Sequence, residues 1–142
     1  MKRVYLIGSL RNREVPLLGN WLRDQGINVF DDWHAAGPEA DDHWQAYERA
    51  RGRTYEQALA GAVAQNAFNF DKRHIDASTA AVLVMPAGKS AHLELGYAAG
   101  AGKATAILLV EEPERFDLMY NFANLVTRDK LALAVFLKEV LK

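Results

Sequence analysis

The sequence predicts an α/β domain built on a parallel β-sheet with helices on both faces. Three observations predict it. Apolar runs recur along the chain, VYLIGS at 4–9, INVFD at 27–31, AAVLVMP at 80–86 and TAILLV at 105–110, as expected of strands buried on both sides. Stretches with apolar residues at helical spacing stand between them. Gly, Ser, Pro or Asp then closes most of the runs, the chemistry of a strand feeding a loop. Together these features describe a small doubly wound, flavodoxin- or Rossmann-like parallel sheet of four to five strands.

Taken in order, VYLIGS is a central strand. Leu17, Leu18, Trp21 and Leu22 mark a helix from Val15 to Gln25, with Gly26 at its C′ position. INVFD supplies the second strand. The chain between Asp31 and Ala80 is too long for a single crossover helix, so a helical insertion is predicted over about 32–68. Pro38 opens one helix there, with Trp44, Tyr47 and Arg51 at i, i+3 and i+7. Tyr55, Leu59, Ala62 and Val63 mark another, and Gly52 lies between the two. AAVLVMP is the third strand. The helix that follows, over 91–102, ends at Gly102, with Gly96 and Gly100 expected to let it approach the sheet. TAILLV is the fourth strand, and RDKLALAVFLKEVLK closes as an amphipathic helix. No internal repeat or linker interrupts residues 1–142, which read as a single domain.

Composition excludes several function classes. A formal net charge of −1 gives no basis for nucleic acid or an anionic membrane as partner. With no cysteine in the chain, disulfide and thiolate chemistry are excluded, and a cytoplasmic setting is expected. The opening MKRVYLIGSLRN has too short an apolar run for a signal peptide. No stretch approaches the roughly 18 apolar residues of a membrane span.

In a doubly wound sheet, ligands bind beyond the carboxyl ends of the strands. Gly8, Ser9, Leu10 and Arg11 follow the first strand, Asp31, Asp32 and Trp33 the second, and Pro86 to Lys89 the third. Glu111 and Glu112 follow the fourth, so all four groups are predicted to share one rim. The backbone amides of Gly8 and Ser9 and the Arg11 guanidinium suit a 5′-phosphate. Gly88, Lys89 and Ser90 open the next helix on the same rim and would add a charge and a hydroxyl, although Ser9 and Ser90 would equally serve as helix caps. Trp33, Trp44 and Tyr47 would either stack on a base or bury the insertion's own core. The acidic residues of 31–43 have no metal-ligand spacing, so neither metal nor cofactor is expected. Glu94 stands inside HLELGYAAGAGK, an otherwise apolar helix. With Ser90 as N-cap, N3 is Leu93, so Glu94 falls one residue beyond the capping-box position.

Three segments together resemble the nucleoside 2-deoxyribosyltransferase family, including the 2′-deoxynucleoside 5′-monophosphate N-hydrolases. They are YLIGSLRN (5–12), HLELGYAAGAGK (92–103) and DLMYNFAN (117–124). The resemblance implies that Glu94 is a nucleophile at the sugar and that Asp71, ahead of the third strand, is the second catalytic acid. By its position alone, Asp71 would also read as an ordinary N-cap. Tyr5 would orient Glu94, and Asp32 and Trp33 would contact substrate. Asn124 would reach a neighbouring subunit's site in a homodimer or dimer of dimers. The expected activity is cleavage of the N-glycosidic bond of a small-molecule deoxynucleoside or its 5′-monophosphate, with water accepting the sugar. The alternatives are transfer to a second base, a TIR-like NAD glycohydrolase and a non-catalytic nucleotide-binding module.

Overall fold

In the computed structural model, which describes residues 1–142, five parallel strands form one sheet. They are β1 (Val4–Ile7), β2 (Val29–Phe30), β3 (Ala80–Val84), β4 (Ala104–Leu108) and β5 (Leu125–Thr127), in the order β2-β1-β3-β4-β5. Val4 pairs with both Val29 and Ala80, Ala80 with Ala104, and Ala106 with Leu125. This is the order of a flavodoxin-like doubly wound sheet, and it puts the strand reversal between β1 and β3.

The two-sided burial predicted for the strands is carried by alternation along each one. In β1, Val4 and Leu6 point to one face, against Val15, Leu18 and Leu22 of α1 (Glu14–Asp24) and Leu133 and Leu137 of α6 (Lys130–Val140). Tyr5 and Ile7 point to the other face, against Ile75 of α4 (Ala62–Asp76) and Ala91, Leu95 and Ala98 of α5 (Lys89–Gly100). No helix is long and apolar enough to cross a membrane.

The insertion differs in detail from the sequence expectation. A 3₁₀ turn at Asp32–Ala36 leads to α2 (Ala40–Ala50), and the residues predicted as one further helix fall in two, α3 (Tyr55–Leu59) and α4. Thr54 caps α3 in a capping box, accepting from the Gln57 amide while the Gln57 side chain accepts from the Thr54 amide. Gly61 then starts α4, which runs without a break through the predicted boundary at 68 to Asp76. INVFD also shortens to two paired residues, because Ile27 donates back to Leu22 O and Asp31 turns to Arg23. Gly96 and Gly100 were expected to pack on the sheet. They face outward instead, with open space where a Cβ would project.

Inside α1 a glycine is required. Arg23 donates two hydrogen bonds to Asp31, at 2.6 and 3.3 Å, and a third to Val29 O, joining α1 to the end of β2. A Cβ on Gly19 would fall on the Asp31 carboxylate. Alanine normally stabilises a helix interior relative to glycine, by roughly 0.5–1 kcal/mol. Gly19→Ala is expected to do the reverse and lower the melting temperature, because it displaces Asp31 from Arg23. A melting temperature equal to or above wild type would show that the ion pair does not depend on this space.

Candidate active site

A cleft of about 650 Å³ opens at the carboxyl ends of β1 and β3. Its walls come from four parts of the chain. Gly8, Ser9 and Arg11 follow β1, and Asp32 and Trp33 follow β2. Gly88, Lys89, Ser90 and Glu94 open α5, and Asp71 projects from α4. Ten of the twelve predicted site residues therefore meet in one cavity, named in full by those four groups.

Local structure explains each position. β1 ends at Ile7, and the Ser9 hydroxyl accepts from the Arg11 amide, turning the loop. Gly8 is wedged between elements: a Cβ there would lie 2.8 Å from Val15 Cγ2 and 3.8 Å from the Trp33 ring. Trp33 donates from Nε1 to Leu6 O at 2.7 Å, so its indole is pinned to β1. The N-cap of α5 is Gly88, with extended backbone, and not Ser90. Lys89 and Ser90 are the first two residues of the helix, and Ser90 caps nothing. Glu94 is thus the sixth helical residue, beyond the first turn where a helix dipole favours a carboxylate. It shares its side of α5 with the buried Ala91 and Ala98.

Asp71 is no N-cap either. It lies deep in α4, one turn before the buried Ile75, and so faces the sheet. Phe70 and His74 anchor this stretch. Phe30 stacks on His74 at 4.1 Å and on Tyr5 at 5.5 Å, and it meets Phe70 at 6.1 Å. Arg3 lies 4.8 Å above the Phe30 ring and donates to His74 O and Nδ1.

Glu94 and Asp71 also line a second, mostly apolar recess of about 210 Å³ with Phe68, Lys72, Ile75, Leu93 and Tyr97. The two acids therefore stand between a polar cleft and an apolar one. Burial, then the Asp71 charge, raises Glu94 to about 8. Burial raises Asp71 to about 6. None of the chain's ion pairs engages either carboxylate. Tyr5 is buried beneath them; burial, then the charges of Glu94 and Asp71, raise its pKa and keep it a neutral phenol. In the neutral range the two acids together hold about one proton and one negative charge, which suits paired acid and nucleophile roles.

Two residues of the predicted set are not on the cleft surface. Tyr5 is one, as the floor beneath the acids. Asn124 is the other: its amide donates to Thr105 O and its Oδ1 accepts from Thr105 N, both at 2.9 Å. Thr105 is the second residue of β4, so Asn124 sits at the amino end of the sheet, opposite the cleft rim. Glu111 and Glu112 are exposed beyond β4 and do not join the cavity. Residues that sequence reasoning left out of the site are Asp41, Asp42 and Phe70, which line the cleft, and Phe68, which lines the recess. The two Phe residues precede Asp71 in FNFD, inside the continuous α4.

The acid pair makes a stability prediction. A carboxyl with a folded-state pKa above its unfolded value binds its proton more tightly when folded. Its contribution is fully present below the unfolded pKa and is lost as pH rises through the folded one. For Glu94 that window runs from its ordinary 4.5 to about 8. Glu94→Gln keeps the neutral shape, so the variant is expected to melt above wild type, by more at about pH 9 than at about pH 5. A pH-independent difference in melting temperature would show that the carboxylate is not held in a desolvated site.

Neither the family models nor the curated proteins compared with this sequence give a match, so any reaction assigned to the chain rests on the residues of its own cleft.

Proposed function

We propose that the chain cleaves the N-glycosidic bond of a 2′-deoxynucleoside or its 5′-monophosphate, with Glu94 as nucleophile and water as the final acceptor. One observation carries this reading: Glu94 and Asp71, on different helices, line one cleft, both raised by burial and neither held in an ion pair. A binding-only module has no use for two desolvated carboxylates at such a cost. Lengthening of the bond between C1′ and the base nitrogen builds positive charge on the sugar, and a carboxylate beneath it is then favoured.

The cycle starts with one proton on the pair, assigned to Glu94, the acid raised further. Positive charge growing at C1′ favours ionised Glu94 and moves that proton to Asp71. A Glu94 oxygen bonds to C1′ as the C1′–N bond breaks. The electron pair of that bond leaves on the base nitrogen, which takes its proton from Asp71. Water then attacks C1′, giving its proton to the Asp71 carboxylate and freeing Glu94. Gly8, Ser9, Arg11, Lys89 and Ser90 would hold the 5′ end of the sugar, as amides, hydroxyls and cations suited to a phosphate.

Glu94→Gln is expected to lower base release from deoxynucleosides and their monophosphates by several powers of ten, with the fold intact. Release within about tenfold of wild type from a folded variant would refute the nucleophile role. The wild-type profile of kcat/KM against pH should be bell-shaped, with limbs near 6 and 8, because only the singly protonated pair is active. A profile flat across that range would leave the pair without a role in proton transfer.

The resemblance also implies a homodimer. Phe116, Leu118, Met119 and Phe122 are between 53 and 79% exposed, and this apolar set supports pairing of two copies through 116–122. Asn124, spent on β4, is not part of that proposal. Sedimentation should give a dimer at assay concentrations, and Phe122→Asp with Leu118→Asp should give a folded monomer. A wild-type monomer would exclude the pairing.

A further inference from the structure

Arg11 is already engaged. Its Nη2 donates to Asp42 Oδ2 at 2.9 Å and its Nε to Pro38 O at 3.4 Å. Both partners belong to the insertion. A carboxylate offers a guanidinium much the same acceptor geometry as one edge of a phosphate. Apart from Arg11, the only cation lining the cleft is Lys89, whereas Asp32 and Asp41 add further negative charge. An anion entering the cleft therefore meets a guanidinium that is neutralised from within the chain.

This pair is built to exchange. The two side chains are 69 and 62% exposed, so little free energy holds them together. Helix α2, which carries Asp42, buries only Glu48, and Glu48 is bonded to Arg53 just beyond the helix. Gly37 and Gly52 bracket α2 at φ 91° and 73°, and a Cβ on either would meet nothing within 4 Å.

We propose that Asp42 is a specificity-determining residue. Its carboxylate occupies the place on Arg11 that a substrate 5′-phosphate would take. A phosphate is bound only in exchange for Asp42, whereas an uncharged nucleoside enters without that exchange. This inference rests on the cleft being the nucleoside site argued above, and it adds which group decides between the two substrate classes.

The test uses 2-deoxyribose 5-phosphate, which has the phosphate but no base to release. Its binding is measured by calorimetry at low ionic strength, where exposed charges act most strongly. Asp42→Asn is expected to tighten binding by about two- to fivefold, the worth of an exposed ion pair that no longer has to be broken. Arg11→Ala is expected to weaken binding, and Asp42→Asn added to Arg11→Ala should give no gain. Unchanged or weaker binding in Asp42→Asn overturns the exchange. So does a gain that persists without Arg11, which would mean a general field effect. Absence of binding to either wild type or Asp42→Asn overturns it too. Base release from nucleosides reads the catalytic proposal separately. An Arg11-dependent gain in a protein that releases no base would leave the exchange standing and remove the reaction. Release without the gain would do the opposite.

Discussion

The position of Asp71 depends on Phe30, in a strand only two residues long. Tyr5 of β1, Phe70 and His74 of α4, and the Arg3 guanidinium all meet that one ring. Most of α4 is exposed, and Ile75 is its one fully buried residue. Packing against the sheet by aliphatic side chains would not by itself fix the helix in register. The aromatic stack does so, and each such pair adds about 0.5–1.5 kcal/mol beyond the area it buries. Arg3 reinforces the same point by donating to Ser78 Oγ and His74 O, which ties the end of α4 to β1. His74 in turn is held below its ordinary pKa by burial first and then by Arg3 and Arg73, which keeps the ring neutral in the stack.

The acids that this arrangement brings together are costly. Desolvated carboxylates without a counter-ion favour their neutral forms, and the fold spends part of its stability whenever one of them ionises. Structural ion pairs elsewhere in the chain are compensated, as with Arg23 and Asp31 or Arg53 and Glu48. Contrast is what gives Glu94 and Asp71 their meaning. Neither is held in an ion pair, unlike those structural carboxylates.

Much of this was legible in the sequence. Four of the five strands were readable because each is a short apolar run closed by turn residues, and the rim followed from where those runs end; β5, three residues and none of them buried, was not. Gly8, Ser9, Arg11 and Lys89 were placed by that logic alone, and Glu94 by its charge inside an otherwise apolar helix and by the family resemblance. The course of α4 was not readable, because residues 62–76 bury so little that no apolar period stands out. Asp71 was consequently open to a capping role that its place inside the helix rules out. The Thr54–Gln57 capping box was a usable signal for the helix start that went unread. The hydrogen bonds of Asn124 to β4 were not readable for a different reason: they join residues distant in sequence, and local pattern carries no trace of them.

Both acids hang from one strand. Helix α4 leads into β3 and α5 leads out of it, so the stretch from Ala62 to Gly100 carries both acids, with Phe30 holding α4 in place. The opposite wall of the cleft is made by residues between Asp32 and Asp42, upstream of that stretch. The acid pair and the opposite wall therefore belong to separate stretches of chain. An insertion of different length or charge could be spliced between β2 and α4 to change what the cleft admits, while the two carboxylates stay where β3 holds them.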